Sequence, residues 1–158
     1  MAHLNNIVVH CSDSTWGSAA EIRRWHMGKG WRDIGYHRVI KNGWPTHGMF
    51  IDAEDGAVEC GRDLDGDQYI IGAEAGAHAL GYNTNSIGIC MIGKDRFTPS
   101  QIGSLLKLLQ ELRERFHITP DHILGHYETA KAHGKTCPNI DMDSIRYLLE
   151  LTDTVIPK

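Results

Sequence analysis

The chain has 158 residues, of which 41% are hydrophobic and 23% are charged, a balance typical of one soluble globular domain. Its formal net charge is -4 with the acidic residues dispersed, which argues against a nucleic-acid or anionic-membrane partner, because both require a concentrated basic surface. No stretch approaches the roughly 20 apolar residues of a membrane-spanning helix, and no signal peptide is recognisable, so we expect the protein to be held first in the cytoplasm.

The amino-terminal part of the chain predicts a strand followed by a helix. Residues 6–11 (NIVVHC) are rich in β-branched side chains, which is typical of a short strand. The SAAE segment at 18–21 is a capping box that opens a helix ending near Gly28 or Gly30. The basic residues of this helix and its end, in EIRRWHMGKGWR, are interpreted as a solvated face, because acidic residues dilute the cluster.

The middle of the chain predicts a strand, a hairpin and a long loop. Residues 36–41 (YHRVIK) predict a strand, and residues 49–61 predict a hairpin that turns at the Asp-Gly pair at 55–56. Residues 61–85 are rich in Gly, Ala, Asp and Asn and have little periodicity. They predict a long loop, with a short helix around 67–73.

The clearest predicted elements are a buried strand and a long helix. Residues 86–93 (SIGICMIG) form an apolar run between turn residues, which predicts a central strand covered on both faces. Residues 98–116 begin with a threonine N-cap, a proline at the first helical position and a glutamine that completes the capping box. One face of this helix carries the apolar side chains Ile102, Leu105, Leu106, Leu109, Leu112 and Phe116.

The carboxyl-terminal part predicts a brief strand at 122–126 and a last helix that starts at Asp141. The apolar side chains of this helix are Ile145, Leu148 and Leu149. The order β-α-β-β-β-α-β-α predicts an α/β fold in which residues 1–158 form one domain, a central mixed β-sheet flanked by helices.

Two histidines lie at the ends of predicted strands, and a cysteine follows the second one in a loop. These are His10, His126 and Cys137. Strand ends suit metal ligands, because the sheet holds the backbone while the side chain faces an open cleft. Catalytic zinc sites use three protein ligands of these types and leave a fourth position open. Spacing alone does not fix the set, since His133 is a rival ligand and a single strand-end histidine is more often structural.

Six sequence blocks, in order from about residue 7 to 140, resemble the type 2 N-acetylmuramoyl-L-alanine amidases. The blocks are VVHCSDS, EIRRWHMGKGWRDIGYHRVI, AVECGRD, GAHALGYNTNSIGICMIG, FTPSQ and GHYE…KTCP. They are most similar to the small phage lysozyme-amidases, which share a fold with peptidoglycan-recognition proteins. No single block is decisive, but six blocks in the same order are specific.

The resemblance implies a zinc site and a reaction. It implies that His10, His126 and Cys137 hold Zn²⁺, with one open position for hydrolysis of the amide between N-acetylmuramic acid and L-alanine. His126 is preferred to His133 because it ends a strand and lies in a matching block. Cys11 is then expected to be a core thiol, since strand alternation turns it away from the His10 side.

The same resemblance implies roles for four other residues. Tyr36 and Lys135 would be catalytic, donating hydrogen bonds to the oxygen on which negative charge develops. Lys135 would also favour the thiolate of nearby Cys137. His78 and Asn83 correspond to positions that line the substrate groove.

Two segments depart from the compact phage relatives, which mostly lack them: residues 44–54 and 64–75. Both are expected near the substrate groove if the predicted sheet order holds, so the relatives' binding preference is not carried over. A third departure is the longer spacing between His126 and Cys137.

The resulting functional hypothesis is a phage or prophage endolysin that lyses its host. We expect a monomer that binds the muropeptide stem of peptidoglycan in the periplasm after release from the host cytoplasm, with no nucleic-acid partner and no membrane insertion. The alternatives are a non-catalytic peptidoglycan-binding module and a cytosolic cell-wall recycling amidase. The recycling branch tends to use aspartate as third ligand, which Cys137 does not match. Some phage relatives also bind an RNA polymerase, which this sequence leaves untested.

Overall fold

The structure, a computed structural model, describes residues 2–132 and 134–155. Its strands are β1 (Ala2–His3), β2 (Asn6–Cys11), β3 (Arg38–Asn42), β4 (Asp55–Cys60), β5 (Tyr69–Ile70), β6 (Ser86–Met91) and β7 (Ile123–Gly125). Its helices are α1 (Ala19–Gly28), α2 (Pro99–Phe116) and α3 (Met142–Val155). Short 3-10 turns occupy Asp52–Glu54, Gly72–Glu74, Pro120–His122 and His126–Glu128.

Five strands form one mixed sheet in the order β4-β3-β6-β2-β7. Strands β2, β3, β6 and β7 run parallel to one another, and β4 pairs antiparallel with β3. β1 and β5 form a separate two-stranded antiparallel ribbon. The predicted α/β fold with a mixed sheet is therefore confirmed, with β6 in the centre. The carboxyl ends of the four parallel strands lie at one edge of the sheet.

Helices cover the two faces of the sheet unequally. The larger buried cluster joins α2 and α3 to the strands through residues such as Ile7, Val9, Ile89, Leu109 and Leu149. A smaller cluster lies on the opposite face, where α1 packs against the middle strands; its buried members are Ala19, Ile22, Ile34, Val39, Cys90 and Ile92. Because side chains alternate along a strand, every second side chain of β2 lies on the face of the sheet that α1 covers.

The caps predicted for α1 and α2 are present. Thr98 accepts a hydrogen bond from the amide of Gln101, whose side chain bonds back to the Thr98 amide, so the predicted capping box is confirmed. Ser18 accepts from the amide of Glu21 in the same way. The Glu21 carboxylate, however, pairs with Arg24 in the next turn of α1.

The predicted hairpin at 49–61 is wrong. The partner of β4 is β3, and residues 43–54 form the connection between them. The Asp-Gly pair at 55–56 lies inside β4, next to an irregularity in the β3–β4 register. Gly56 has a φ of +82°, and a Cβ there would lie 2.8 Å from the carbonyl oxygen of Ser100, so this glycine allows the start of α2 to approach the strand.

Two further predictions need correction. The helix predicted around 67–73 is replaced by β5, which pairs with β1, and by a 3-10 turn at Gly72–Glu74. In α3, Ile145 and Leu149 are buried as predicted, but Leu148 is 40% exposed. In the described part of α3, the third buried apolar side chain is that of Met142 instead of Leu148. None of the helices in the described ranges is both long enough and apolar enough to cross a membrane.

Candidate active site

The three predicted metal ligands meet at the carboxyl edge of the sheet. His10 precedes the last residue of β2, and His126 follows the last residue of β7, the strand paired in parallel with β2. The loop after His126 returns towards β2, where the Tyr127 amide donates to the carbonyl of Cys137 at 2.9 Å. One ligand atom from each of His10, His126 and Cys137 lies within 4.8 Å of the others. The rival His133 lies outside the described residues.

Both histidines are held in the neutral form that a metal requires. Burial lowers the pKa of His10 well below 6.5, and the nearby His78, His126 and Lys135 lower it further. Burial also lowers the pKa of His126, with an additional effect of the Lys135 charge. Each ring therefore has a nitrogen lone pair available near neutral pH.

Cys137 lies beside Cys11, which corrects one prediction. Cys11 is buried as expected, but it lines the same cleft as Cys137 and its amide donates to the Cys137 sulfur at 3.1 Å. A hydrogen bond from the Cys137 thiol lowers the pKa of Cys11 to about 7, against the effect of burial. The same hydrogen bond raises the pKa of Cys137, and burial raises it further. A metal cation would make Cys137 the more acidic of the two cysteines, because a coordinating thiol is deprotonated outright.

Tyr36 and Lys135 lie on the same cleft, which has a volume of about 540 Å³. The Tyr36 ring centroid is 5.2 Å from that of His10. Burial, and secondarily three neighbouring cysteines, raises the pKa of Tyr36 well above 10, so its hydroxyl stays protonated and can donate. Lys135 is exposed at the mouth of the cleft, and its charge reaches both His10 and His126.

His78 and Asn83, the predicted substrate-binding residues, have different positions. His78 lines the cleft, but its Nδ1 is 2.9 Å from Nε2 of His10 and its Nε2 is 3.3 Å from the hydroxyl of Ser86. Asn83 is not among the described residues that line the cleft. Its side-chain oxygen accepts from the amides of His78 and Ala79, so Asn83 orders the loop that holds His78.

One wall of the cleft was not predicted from the sequence. His26 and Lys29, at the end of α1, and Trp31, just after it, line the same cleft as the metal-binding trio. The His26 ring packs at 4.4 Å from Trp31 and 5.6 Å from Tyr36. The interpretation of this basic stretch as a solvated face therefore holds only for part of it, such as the exposed Arg24. The signal in the sequence was the His-Lys-Trp set at the helix end.

The two extra segments do not line the cleft. The segment at 44–54 lies at the carboxyl edge of the sheet, where the Trp44 carbonyl accepts from the Gly17 amide and His47 approaches Trp16. The segment at 64–75 packs on the β1 side, and only the residues that follow it reach the cleft. Among the described residues, neither segment supplies a cleft-lining side chain.

The donor set fits zinc. Two imidazole nitrogens and one thiol sulfur, converging at a cleft that is open on one side, match the three protein ligands and free position of catalytic zinc sites. Softer sulfur and imidazole donors also disfavour Mg²⁺ and Ca²⁺, which prefer oxygen. With a protonated phenol and an ammonium group on the same cleft, the arrangement suits hydrolysis of an amide or ester.

Comparisons with known proteins agree with this chemistry. The sequence model of the N-acetylmuramoyl-L-alanine amidase family matches residues 2–140. The chain is 37% identical over 147 residues to the endolysin of Escherichia phage T7, an alignment that covers 86% of this chain and 81% of the endolysin.

Solved structures give the same grouping. The structure of the N-acetylmuramoyl-L-alanine amidase LysC from Clostridium intestinale matches with a TM-score of 0.72 and 25% identity, covering 94% of this chain and 86% of LysC. The structure of bumblebee PGRP-SA matches with a TM-score of 0.65 and 23% identity over 95% of this chain and 84% of that one, a likeness of fold.

Proposed function

The chain belongs to the N-acetylmuramoyl-L-alanine amidase family, and from this premise we propose that it is a zinc-dependent hydrolase of bacterial peptidoglycan. The bond cleaved is the amide between N-acetylmuramic acid and the L-alanine of the stem peptide. The observation that carries the zinc assignment is the convergence of His10, His126 and Cys137 within 4.8 Å. The amidase domain comprises residues 1–158.

His10, His126 and Cys137 would hold the metal, and the surrounding residues prepare them for it. The two imidazoles are kept neutral by burial. The Cys11 amide donates to the Cys137 sulfur, which supports its thiolate form. Zinc, when bound, activates water and polarises a carbonyl as a Lewis acid.

Tyr36 and Lys135 are assigned to the oxygen of the scissile carbonyl, on which negative charge develops. The Tyr36 hydroxyl keeps its proton because its pKa is raised by burial, so it acts as a fixed hydrogen-bond donor. Lys135 adds a positive charge from the exposed side of the cleft. A cation at this position stabilises the transition state more than the uncharged substrate.

The biological role we propose is that of an endolysin, released from the host cytoplasm to act on peptidoglycan. The similarity to the endolysin of phage T7 over most of both chains supports this role. The second candidate is a module of the same fold that binds peptidoglycan without cleaving it. The complete donor set at 10, 126 and 137 favours the enzyme over such a module.

Digestion of purified peptidoglycan, followed by mass spectrometry, tests the proposal. We expect free stem peptides that begin with L-alanine, their loss after chelation and their return when zinc is added back. New reducing sugar ends with intact peptide linkages would contradict the amidase assignment. Tight binding to sacculi with no released product would favour the binding module.

A further inference from the structure

A series of hydrogen bonds leads from the metal-binding trio into the sheet. It runs from His10 Nε2 to His78 Nδ1 at 2.9 Å, from His78 Nε2 to the Ser86 hydroxyl at 3.3 Å, and from that hydroxyl to the Tyr82 carbonyl at 2.6 Å. We call this series the His10–His78–Ser86 relay. A carbonyl oxygen only accepts hydrogen bonds, so the direction of every bond follows from the Tyr82 end.

The Ser86 hydroxyl fixes the protonation of His78. Ser86 is completely buried, and its single hydroxyl hydrogen is donated to the carbonyl of Tyr82. Only lone pairs of the Ser86 oxygen then remain for the imidazole of His78. The hydrogen between these two residues must therefore be on Nε2 of His78.

His78 in turn fixes the protonation of His10. A neutral imidazole has one N–H and one lone pair, so the lone pair of His78 is on Nδ1. That atom is 2.9 Å from Nε2 of His10, which must be the donor. The proton of His10 is then on Nε2, and its Nδ1 has the lone pair that can face the other two ligands.

We propose that His78 and Ser86 are positioning residues that hold His10 as its Nε2–H tautomer and so present its Nδ1 to the metal. The inference rests on the proposed zinc site and goes beyond the substrate-binding role predicted for His78, whose two ring nitrogens are both engaged within the protein. Histidine ligands commonly donate their second N–H to an oxygen acceptor. Here the acceptor is a second histidine, which is itself oriented by a buried serine.

The ring of His78 packs closely against the backbone of two glycines. A Cβ at Gly88, in the central strand β6, would lie 2.7 Å from the ring, and a Cβ at Gly76 would lie 2.6 Å from it. The loop is fixed from the other side, where Asn83 accepts from the amides of His78 and Ala79. The relay is therefore built into the sheet and the loop together.

The first test measures the tautomers directly in the metal-free wild-type protein. Long-range ¹H–¹⁵N NMR of histidine-labelled protein distinguishes a protonated ring nitrogen from one with a lone pair. We expect both His10 and His78 to have their proton on Nε2. A His10 that is protonated on Nδ1 would overturn the relay.

The second test measures zinc affinity by competition with a chelator. His78→Phe removes the acceptor and should weaken zinc binding by about 10–100-fold, the usual effect of losing an outer partner of a metal ligand. His78→Gln retains a carbonyl acceptor and should recover most of that loss, which a role in packing alone would not produce. The matched control is His3→Phe, at an exposed residue of β1. Wild-type zinc affinity in folded His78→Phe would contradict the proposal.

A third variant guards against misfolding at position 78. Ser86→Ala leaves His78 in place but removes the group that sets its tautomer, so the NMR spectrum should show a mixture of His10 tautomers. A single unchanged Nε2–H tautomer in this variant would remove Ser86 from the relay. If the wild-type protein binds no zinc, the proposed function fails, whereas the tautomers still decide the relay. If zinc binds and His10 is protonated on Nδ1, the relay alone fails.

Discussion

The two faces of the sheet differ in what they bury. On the face covered by α2 and α3, the strands contribute to one large cluster dominated by Ile, Leu, Val and Met. On the other face, the part of the chain that the structure describes contributes six buried members to the apolar cluster, and the buried histidines His10 and His37 lie next to it. The sheet is thus packed for stability on one side and equipped for chemistry on the other.

The contrast follows from the cost of burying polar groups. A buried polar group without a hydrogen-bond partner costs several kcal/mol, about as much as a well-packed leucine contributes. Each buried histidine therefore has partners: the Gly88 amide donates to His37 Nδ1, His37 Nε2 donates to the Glu74 carbonyl, and His10 meets His78. The large cluster on the opposite face supplies the stability that allows such a site.

The largest effect on the site face alone is expected from Cys137→Ser, which removes the thiol ligand. We expect zinc content to fall sharply and amidase activity to drop by about 1000-fold, equivalent to about 4 kcal/mol in the activation free energy. The free energy of unfolding of the metal-free protein should change by less than about 1 kcal/mol, since Cys137 is outside both apolar clusters. Metal analysis, turnover of peptidoglycan and chemical denaturation provide the three measurements.

The control for this variant is Cys60→Ser, because Cys60 is an exposed cysteine at the end of β4. It should keep both zinc and activity. A Cys137→Ser protein with full metal content and full activity would show that the ligand assignment is wrong.

The opposite result is expected from Leu109→Ala on the other face. Leu109 is fully buried in α2, and truncating such a leucine costs about 3 kcal/mol, through lost burial and the cavity that remains. Zinc affinity of the folded variant should stay at the wild-type value. Leu148→Ala, at a 40% exposed position of α3, is the matched control and should cost much less. A large loss of zinc affinity in Leu109→Ala would mean that the two faces are not independent.

Tyr36→Phe separates chemistry from packing within the site face. The ring packs against the smaller cluster and is retained, while the hydroxyl donor is removed. We expect kcat to fall by about 100-fold, equivalent to about 2.7 kcal/mol, as for the loss of one donor to a developing oxyanion. Zinc content and KM should change little, and Tyr147→Phe, on an exposed part of α3, should behave as wild type. A change confined to KM would reassign Tyr36 to substrate binding.

The sequence predicted the packed face better than the site face. Helix α2 was predicted to its caps, because the capping residues and the apolar spacing are local signals. The hairpin prediction was wrong because an Asp-Gly pair is also a common turn sequence. Here its glycine is needed for a tertiary reason, since it allows α2 to approach β4 closely. Strand-end reasoning pointed to His10 and His126, since the edge of a parallel sheet brings distant residues together.

The remaining features of the site depend on geometry that the sequence does not contain. The role of Cys137 as a ligand came from the resemblance to a family, and the structure now brings its sulfur to the two imidazoles. The contact of Cys137 with Cys11 ran against the expected strand alternation. The link from His10 to His78 spans 68 positions and depends on the orientation of two rings. No local pattern encodes such a contact.

The pH dependence of stability gives a last and smaller test of the contrast between faces. Burial, against a hydrogen bond to Glu74, lowers the pKa of His37 from 6.5 to about 4. Below pH 6.5 the unfolded chain therefore gains a proton at this residue that the folded chain does not. The contribution of His37 to the free energy of unfolding is therefore fully present above pH 6.5. It should fall by about 2 kcal/mol by pH 5, since each pH unit below 6.5 costs about 1.4 kcal/mol.

Denaturation of the metal-free protein at pH 7 and pH 5 measures this effect against His37→Gln, which retains a donor and an acceptor but does not titrate. The variant should lose less stability than the wild type over this range, since the titration of the carboxylates and of the other histidines, such as His10 and His126, is common to both. Leu109→Ala, although less stable throughout, should keep the wild-type pH dependence, because its defect is on the other face of the sheet. Equal pH dependence in His37→Gln and wild type would mean that His37 does not control this loss.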